Sequence, residues 1–162
     1  MASKELKPGD RAPDFDLPAD GGRRISLSNF KGKSVVLYFY PKDDTSGCTA
    51  EALAFTKDAK SFARAGAVVI GVSKDSVASH DKFKAKYDLT LDLAADEETK
   101  TAAAYGVWVE KSMYGRRYMG MERATFLIDE KGKIRQVWRK VKVPGHSAQV
   151  LDAVKALQHG TA

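Results

Sequence analysis

The chain has 162 residues, 43% of them hydrophobic, which is enough for one domain with a packed core and too few for two ordinary ones. Its formal charge is +6, from 27 basic and 21 acidic residues. Most basic residues alternate with acidic ones, as in Lys57-Asp58, Lys74-Asp75, Asp81-Lys82 and Glu110-Lys111; Arg116-Arg117 and the segment Arg135 to Lys142 are the main exceptions. A solvated basic face accounts for this balance, and no motif points to a nucleic-acid partner.

No apolar run reaches the length of about 18 residues that a membrane span needs. Met1-Ala2-Ser3-Lys4-Glu5-Leu6 lacks the apolar stretch of a signal peptide. There is one cysteine, Cys48, so no disulfide can form within the chain. One cysteine also agrees with a reducing compartment, and a cytoplasmic protein is expected.

Residues 11–30 set Phe15 and Leu17, then Ile25 and Leu27, on either side of Asp20-Gly21-Gly22, which predicts an N-terminal β-hairpin. Residues 34–40 are almost all apolar and β-prone, as in a strand covered on both faces. From Cys48 to Ala65 apolar residues recur at helical spacing, with Ala52, Phe55, Ala59 and Phe62 forming one stripe and Gly66 supplying the stop. Residues 67–72 form a second buried strand. A helix capped by Asp75 or Ser76 follows, turning Val77, Phe83 and Tyr87 inward. A short strand near Leu91 to Leu93 and a helix from about Glu98 to Tyr105 come next. Residues 107–121 show no clear period and read as a long loop. Its residues Trp108, Met113, Tyr114, Tyr118, Met119 and Met121 fit either packing beneath that loop or a wall or docking surface at an active site. Residues 124–128 and 134–138 make a hairpin across Asp129-Glu130-Lys131-Gly132, and a last helix from about Ser147 to Leu157 buries Val150, Val154 and Leu157.

The β-α-β units require parallel pairing, and the closing hairpin adds antiparallel strands. The expected fold is therefore α/β and thioredoxin-like: a central mixed β-sheet flanked by helices, with an N-terminal hairpin, as a single domain over 1–162. In such open sheets reactive groups gather beyond the carboxyl ends of the strands, and Cys48 lies just past one.

Only the thiolate of cysteine, whose ordinary pKa is ~8.5, is a good nucleophile. The unpaired N–H groups and dipole of a helix start favour that anion. Thr45, three residues earlier, can donate a hydrogen bond to the sulfur or to an oxygen about to accept charge. Pro41 brings no N–H and can shield the sulfur from water. Glu51, on the first helical turn, can hold an arginine in a bidentate pair. A buried, inert cysteine is the competing interpretation. His80, His146 and His159 are scattered, without metal-ligand spacing, so no metal site is expected; His80 reads as a surface or packing residue.

Pro41-x-x-x-Thr45-x-x-Cys48-x-x-Glu51 resembles the active-site motif of peroxiredoxins. The longer run Tyr38-Phe39-Tyr40-Pro41-Lys42-Asp43-Asp44-Thr45-Ser46-Gly47-Cys48-Thr49 is similar to the subgroup called peroxiredoxin Q or bacterioferritin comigratory protein. The likeness extends from Lys7-Pro8-Gly9-Asp10-Arg11-Ala12-Pro13-Asp14-Phe15 through Val72-Ser73-Lys74-Asp75-Ser76 and Tyr105-Gly106-Val107-Trp108 to Arg123-Ala124-Thr125-Phe126-Leu127-Ile128-Asp129. It implies a thiol peroxidase without a cofactor, in which Cys48 attacks a hydroperoxide and becomes a sulfenic acid. It further implies that Thr45 hydrogen-bonds the peroxide, that Pro41 shields the site, and that Arg123 lies beside the sulfur to stabilise the thiolate and polarise the peroxide. By position alone Arg123 would read as an exposed strand-end residue.

Many members of that subgroup carry a resolving cysteine where this chain has Leu53, and others carry it in the segment around Lys84. A one-cysteine cycle is therefore expected, restored by an external thiol such as thioredoxin, glutaredoxin or glutathione, in a monomer that engages neither nucleic acid nor membrane. The alternatives are a peroxide sensor and a non-enzymatic thioredoxin-like binding module.

Overall fold

The computed structural model describes residues 5–158, so His159 lies outside the described residues. The chain enters through a hairpin, β1 (Asp16–Pro18) and β2 (Arg24–Ser26), paired antiparallel with Leu17 opposite Ile25. Its turn puts Gly21 and Gly22 at φ 74° and 75°, a left-handed conformation that glycine adopts without a steric cost.

The core is a five-stranded sheet in the order β5-β4-β3-β8-β9. β3 (Ser34–Phe39), β4 (Ala67–Ser73) and β5 (Asp92–Ala95) run parallel, while β8 (Ala124–Ile128) and β9 (Ile134–Trp138) are antiparallel additions. β3 lies at the centre, and Val35 to Phe39 are at most 1% exposed, which is why it reads as a continuous apolar run. On one face Val36, Tyr38 and Leu127 pack with Phe55, Phe62, Phe83, Val150 and Val154. On the other, Leu37, Phe39, Val72 and Phe126 pack with Phe15, Ile25, Tyr105 and Met121. This is the mixed sheet and thioredoxin-like plan expected.

The helix expected from Cys48 to Ala65 is two helices, α1 (Ser46–Lys57) and α2 (Ala59–Arg64), broken at Asp58. Phe55 and Phe62 are both buried across the break, so the apolar spacing continues and conceals it. Asp58 accepts a hydrogen bond from Ser147 Oγ at 2.7 Å, tying the break to α5 (His146–Gln158). α3 (Val77–Tyr87) is capped by Ser76, whose Oγ accepts from Ser79 N at 3.1 Å. Asp75, the other candidate cap, serves elsewhere.

Residues 107–121 are not a loop. After the short helix α4 (Lys100–Ala104), β6 (Trp108–Met113) and β7 (Arg116–Met121) form a two-stranded antiparallel ribbon outside the main sheet. Its two-residue turn holds Tyr114 at φ 52° and Gly115 at φ 78°, the geometry of a tight hairpin turn. Both faces of the ribbon are largely exposed, so there is no alternation of apolar and polar residues to detect. Tyrosine at a positive φ is also a weak turn signal.

Candidate active site

Two chain segments meet at the carboxyl end of β3. The loop from Pro41 to Thr45 follows that strand and feeds α1, whose third residue is Cys48. β8 runs antiparallel to β3 with Ala124 opposite Phe39, so Arg123, just before β8, arrives at the same end. Sequence distance hides this juxtaposition, and strand pairing creates it.

Cys48 is 1% exposed and carries a free thiol. Arg123 Nη2 donates to its Sγ at 3.3 Å, and Arg123 Nη1 donates to Glu51 Oε1 at 2.6 Å. The bidentate Arg–Glu fork expected from the sequence is thus replaced by a divided one. Each terminal nitrogen serves a different partner, because Glu51 sits on the second turn of α1, three residues beyond Cys48 on the same helix face. Gly47 makes room: a Cβ there would stand 3.2 Å from Arg123 Nη2. The first-turn N–H groups of α1, which find no acceptor within the helix, add to the favourable field at the sulfur.

Burial pushes the Glu51 carboxyl up to about 7, against the lowering effect of Arg123. Its second oxygen, Oε2, is buried without a hydrogen-bond partner. Beneath lies Tyr38, fully buried and with an unpartnered hydroxyl; burial, then the negative charges of Glu51 and Cys48, drive its phenol well above the usual range. The Tyr38 ring is accommodated by Gly71, where a Cβ would come within 2.8 Å of it.

Thr45 and Pro41 differ in how close they come. Thr45 is the residue before α1, as expected, but it is exposed and its hydroxyl donates to the Lys42 carbonyl at 2.9 Å rather than to the sulfur. That bond leaves the lone pairs of Oγ1 able to accept a proton donor from outside. Pro41 is half-buried at the loop's first position. At the two positions named above for a resolving cysteine, Leu53 is 41% exposed on α1, and Lys84 on α3 is ion-paired with Asp20 at 2.7 Å.

Several residues around the site carry no signal in the sequence. Asp43, inside the loop, accepts from Tyr40 OH at 2.6 Å and from Ser79 Oγ at 2.8 Å, and faces His80 Nδ1 at 2.7 Å. Its backbone N–H donates to Asp75 Oδ2 at 2.9 Å. No spacing rule links positions 43, 75 and 80; only the packing of α3 beside the loop does. A cleft of about 410 Å³ lies at the other end of the sheet, against Val35 and Asp129, and takes no part in this chemistry.

A cysteine at a helix start on a thioredoxin-like sheet, with a guanidinium on its sulfur, defines a thiol-based redox protein. Comparison with known proteins carries this further. The AhpC/TSA family profile matches residues 8–137. Peroxiredoxin Bcp of Bacillus subtilis is 51% identical over 147 residues, covering 91% of this chain and 94% of that protein. A solved structure of the Xanthomonas campestris bacterioferritin comigratory protein, studied for alkyl peroxide reduction, aligns with TM-score 0.86 at 44% identity over 89% of this chain and 92% of that one. Xanthomonas campestris peroxiredoxin Q has also been solved with serine replacing one or the other of two cysteines; these structures align with TM-score 0.87 at 41% and 42% identity, covering 98% and 97% of this chain and 99% of each of those. The chain belongs to the AhpC/TSA family, and within it to the peroxiredoxin Q or bacterioferritin comigratory protein group. It is a peroxiredoxin, an enzyme of the thiol peroxidase class.

Proposed function

We propose that this peroxiredoxin reduces hydrogen peroxide and organic hydroperoxides to water and alcohols through Cys48 in a one-cysteine cycle. The carrying observation is the contact of Arg123 Nη2 with Cys48 Sγ at 3.3 Å in a chain that has no second cysteine. The Cys48 thiolate attacks the terminal peroxide oxygen. The S–O bond forms as the O–O bond breaks, and the leaving alkoxide or hydroxide takes up a proton. Arg123 stabilises the thiolate beforehand and the developing oxygen charge during the step. Thr45 Oγ1 accepts the O–H of the incoming peroxide and orients it, Pro41 limits water at the sulfur, and Glu51 holds Arg123 in place.

The product is a Cys48 sulfenic acid. An external thiol attacks its sulfur, water leaves, and a mixed disulfide remains; a second thiol then releases Cys48. The Xanthomonas relative, with its two cysteines, has an internal candidate for the first of these thiols. Here Leu53 and Lys84 supply none, so thioredoxin, glutaredoxin or glutathione must. This chemistry suits a monomer of one domain, residues 1–162, in a reducing compartment such as the cytoplasm, acting in antioxidant defence.

Peroxide consumption by wild type and Cys48→Ser, with each thiol in turn, tests the proposal. Equal rates for the two proteins would remove Cys48 from the chemistry. A single turnover that no thiol extends would favour a peroxide sensor, and no oxidation at all a binding module. Graded peroxide without thiol should drive Cys48 to the sulfinic acid, visible by mass spectrometry, because nothing in the chain traps the sulfenic acid first.

A further inference from the structure

Cys48 is 1% exposed, and an outside thiol must approach its sulfur in line with the bond being broken. The segment that carries it, the Pro41–Thr45 loop with the start of α1, therefore has to move in each cycle that an external thiol completes. What holds it closed is centred on one side chain. Asp43 lies midway along the Pro41–Thr45 loop and is buried. Its carboxylate accepts from Tyr40 OH, just past the end of β3, and from Ser79 Oγ on α3. It also faces His80 Nδ1, on α3, at 2.7 Å.

His80 is 0% exposed, and its Nε2 faces the Ala94 carbonyl of β5 at 2.9 Å. A carboxylate and a backbone carbonyl only accept, so both ring nitrogens must carry protons, and the buried ring is an imidazolium. The charged and titratable groups facing it are Asp43 from the loop, Asp75 from the turn before α3, and Tyr40 from just past β3, whose hydroxyl is 3.5 Å from Nδ1. Asp75 in turn receives the Asp43 backbone N–H. Both carboxylates favour the charged ring.

We propose that the His80–Asp43 pair is a proton-dependent latch that positions the Cys48 loop, closed for peroxide attack when His80 is protonated and released for thiol access when it is not. This inference rests on the peroxidase reading for its consequence in the cycle, and on packing alone for the latch. When the ring loses a proton it keeps Nδ1–H on the carboxylate, the stronger acceptor, and gives up the one on Nε2; the bond to Asp43 then loses its charge, and the Nε2 lone pair confronts the Ala94 carbonyl in a buried site, so the ring's hold on the loop weakens.

The direction of the pH effect follows from the neighbours. Burial pushes His80 down, but the hydrogen bond and charge of Asp43 outweigh it, so its pKa is raised above the ordinary 6.5. The latch is complete below pH 6.5 and fades as pH rises through the higher folded-state value.

Amide exchange of residues 41–49 in the reduced protein, corrected for the intrinsic pH dependence of exchange, reads the loop directly. Wild type should show about a tenfold rise in opening between about pH 6 and about pH 9, the scale of losing one charge-assisted hydrogen bond. His80→Gln should be as open at about pH 6 as wild type is at about pH 9. Asp43→Asn can accept from Tyr40 and donate to a neutral His80, so its loop should stay held and show no rise. A flat wild-type profile overturns the latch. So does a rise that survives Asp43→Asn, because it would belong to another group, such as Glu51.

In stopped-flow measurements His80→Gln should slow Cys48 oxidation by peroxide while speeding reduction of the sulfenic acid by glutathione. A merely structural role would slow both. If Cys48 fails to react with peroxide in wild type, the peroxidase reading falls, while the exchange data still decide the latch.

Discussion

Arg123 divides its two terminal nitrogens between the Glu51 carboxylate and the Cys48 sulfur. A lysine carries one compact charge and cannot serve both. Arg123→Lys should lower the second-order rate of Cys48 oxidation about a hundredfold, read by stopped flow at saturating thiol; a rate within a few fold of wild type would mean that Arg123 acts on structure alone. Glu51 offers a separate test through stability. Its carboxyl is held up to about 7 from an ordinary 4.5, so the folded state keeps a proton that the unfolded chain has already lost. Its contribution is intact below pH 4.5 and falls as pH rises to about 7, by at most about 3 kcal/mol. Glu51→Gln should therefore gain stability relative to wild type on going from about pH 5 to about pH 8, as seen in urea midpoints. A difference that stays constant across that range would show that burial does not disfavour the charge.

β3 and β4 hold the site at the level of elements. Tyr38 pairs with Gly71 across these strands, and the ring lies over the glycine so closely that a Cβ would stand 2.8 Å from Cζ and the hydroxyl oxygen. Tyr38 is fully buried and cannot swing aside. Gly71→Ala should cost about 1–3 kcal/mol through overpacking, measured by denaturant unfolding, and an unchanged midpoint would mean that the strands can part at that register. The ribbon of β6 and β7 shows the opposite regime. It stands outside the main sheet, and Tyr114 at its tip is 97% exposed. Tyr114→Asn suits the left-handed turn better and should slow amide exchange across the ribbon several fold, by about 0.5–1 kcal/mol of local stability; faster exchange would contradict the turn assignment.

Across the whole molecule, the lone cysteine and its burial set the terms of the proposed cycle. Oxidation with one equivalent of peroxide followed by one equivalent of glutathione, leaving no second thiol to release Cys48, should leave one glutathione adduct per chain, and Cys48→Ser none, by intact-protein mass spectrometry. A Cys48–Cys48 linked dimer in place of the adduct would make a second copy of the chain the resolving partner. The elements were readable where burial is one-sided or complete: β3, β4, β8 and the apolar stripe of α1 and α2 carry the period of their environment. The break at Asp58 and the β6–β7 ribbon were not, since one preserves the stripe and the other buries too little to have a period.

The sequence by itself determined that there is a single thiol, its place at a helix start and the motif from Pro41 to Glu51, because these depend on neighbours within a few residues or on composition. It carried Arg123 only through resemblance. Tertiary structure alone decided that Arg123 bridges Glu51 and Cys48, that Thr45 turns to the Lys42 carbonyl, and that Asp43 and His80 bond the loop to α3. Those contacts join residues up to 75 positions apart, and strand register and helix packing, rather than any local preference, bring them within hydrogen-bond reach.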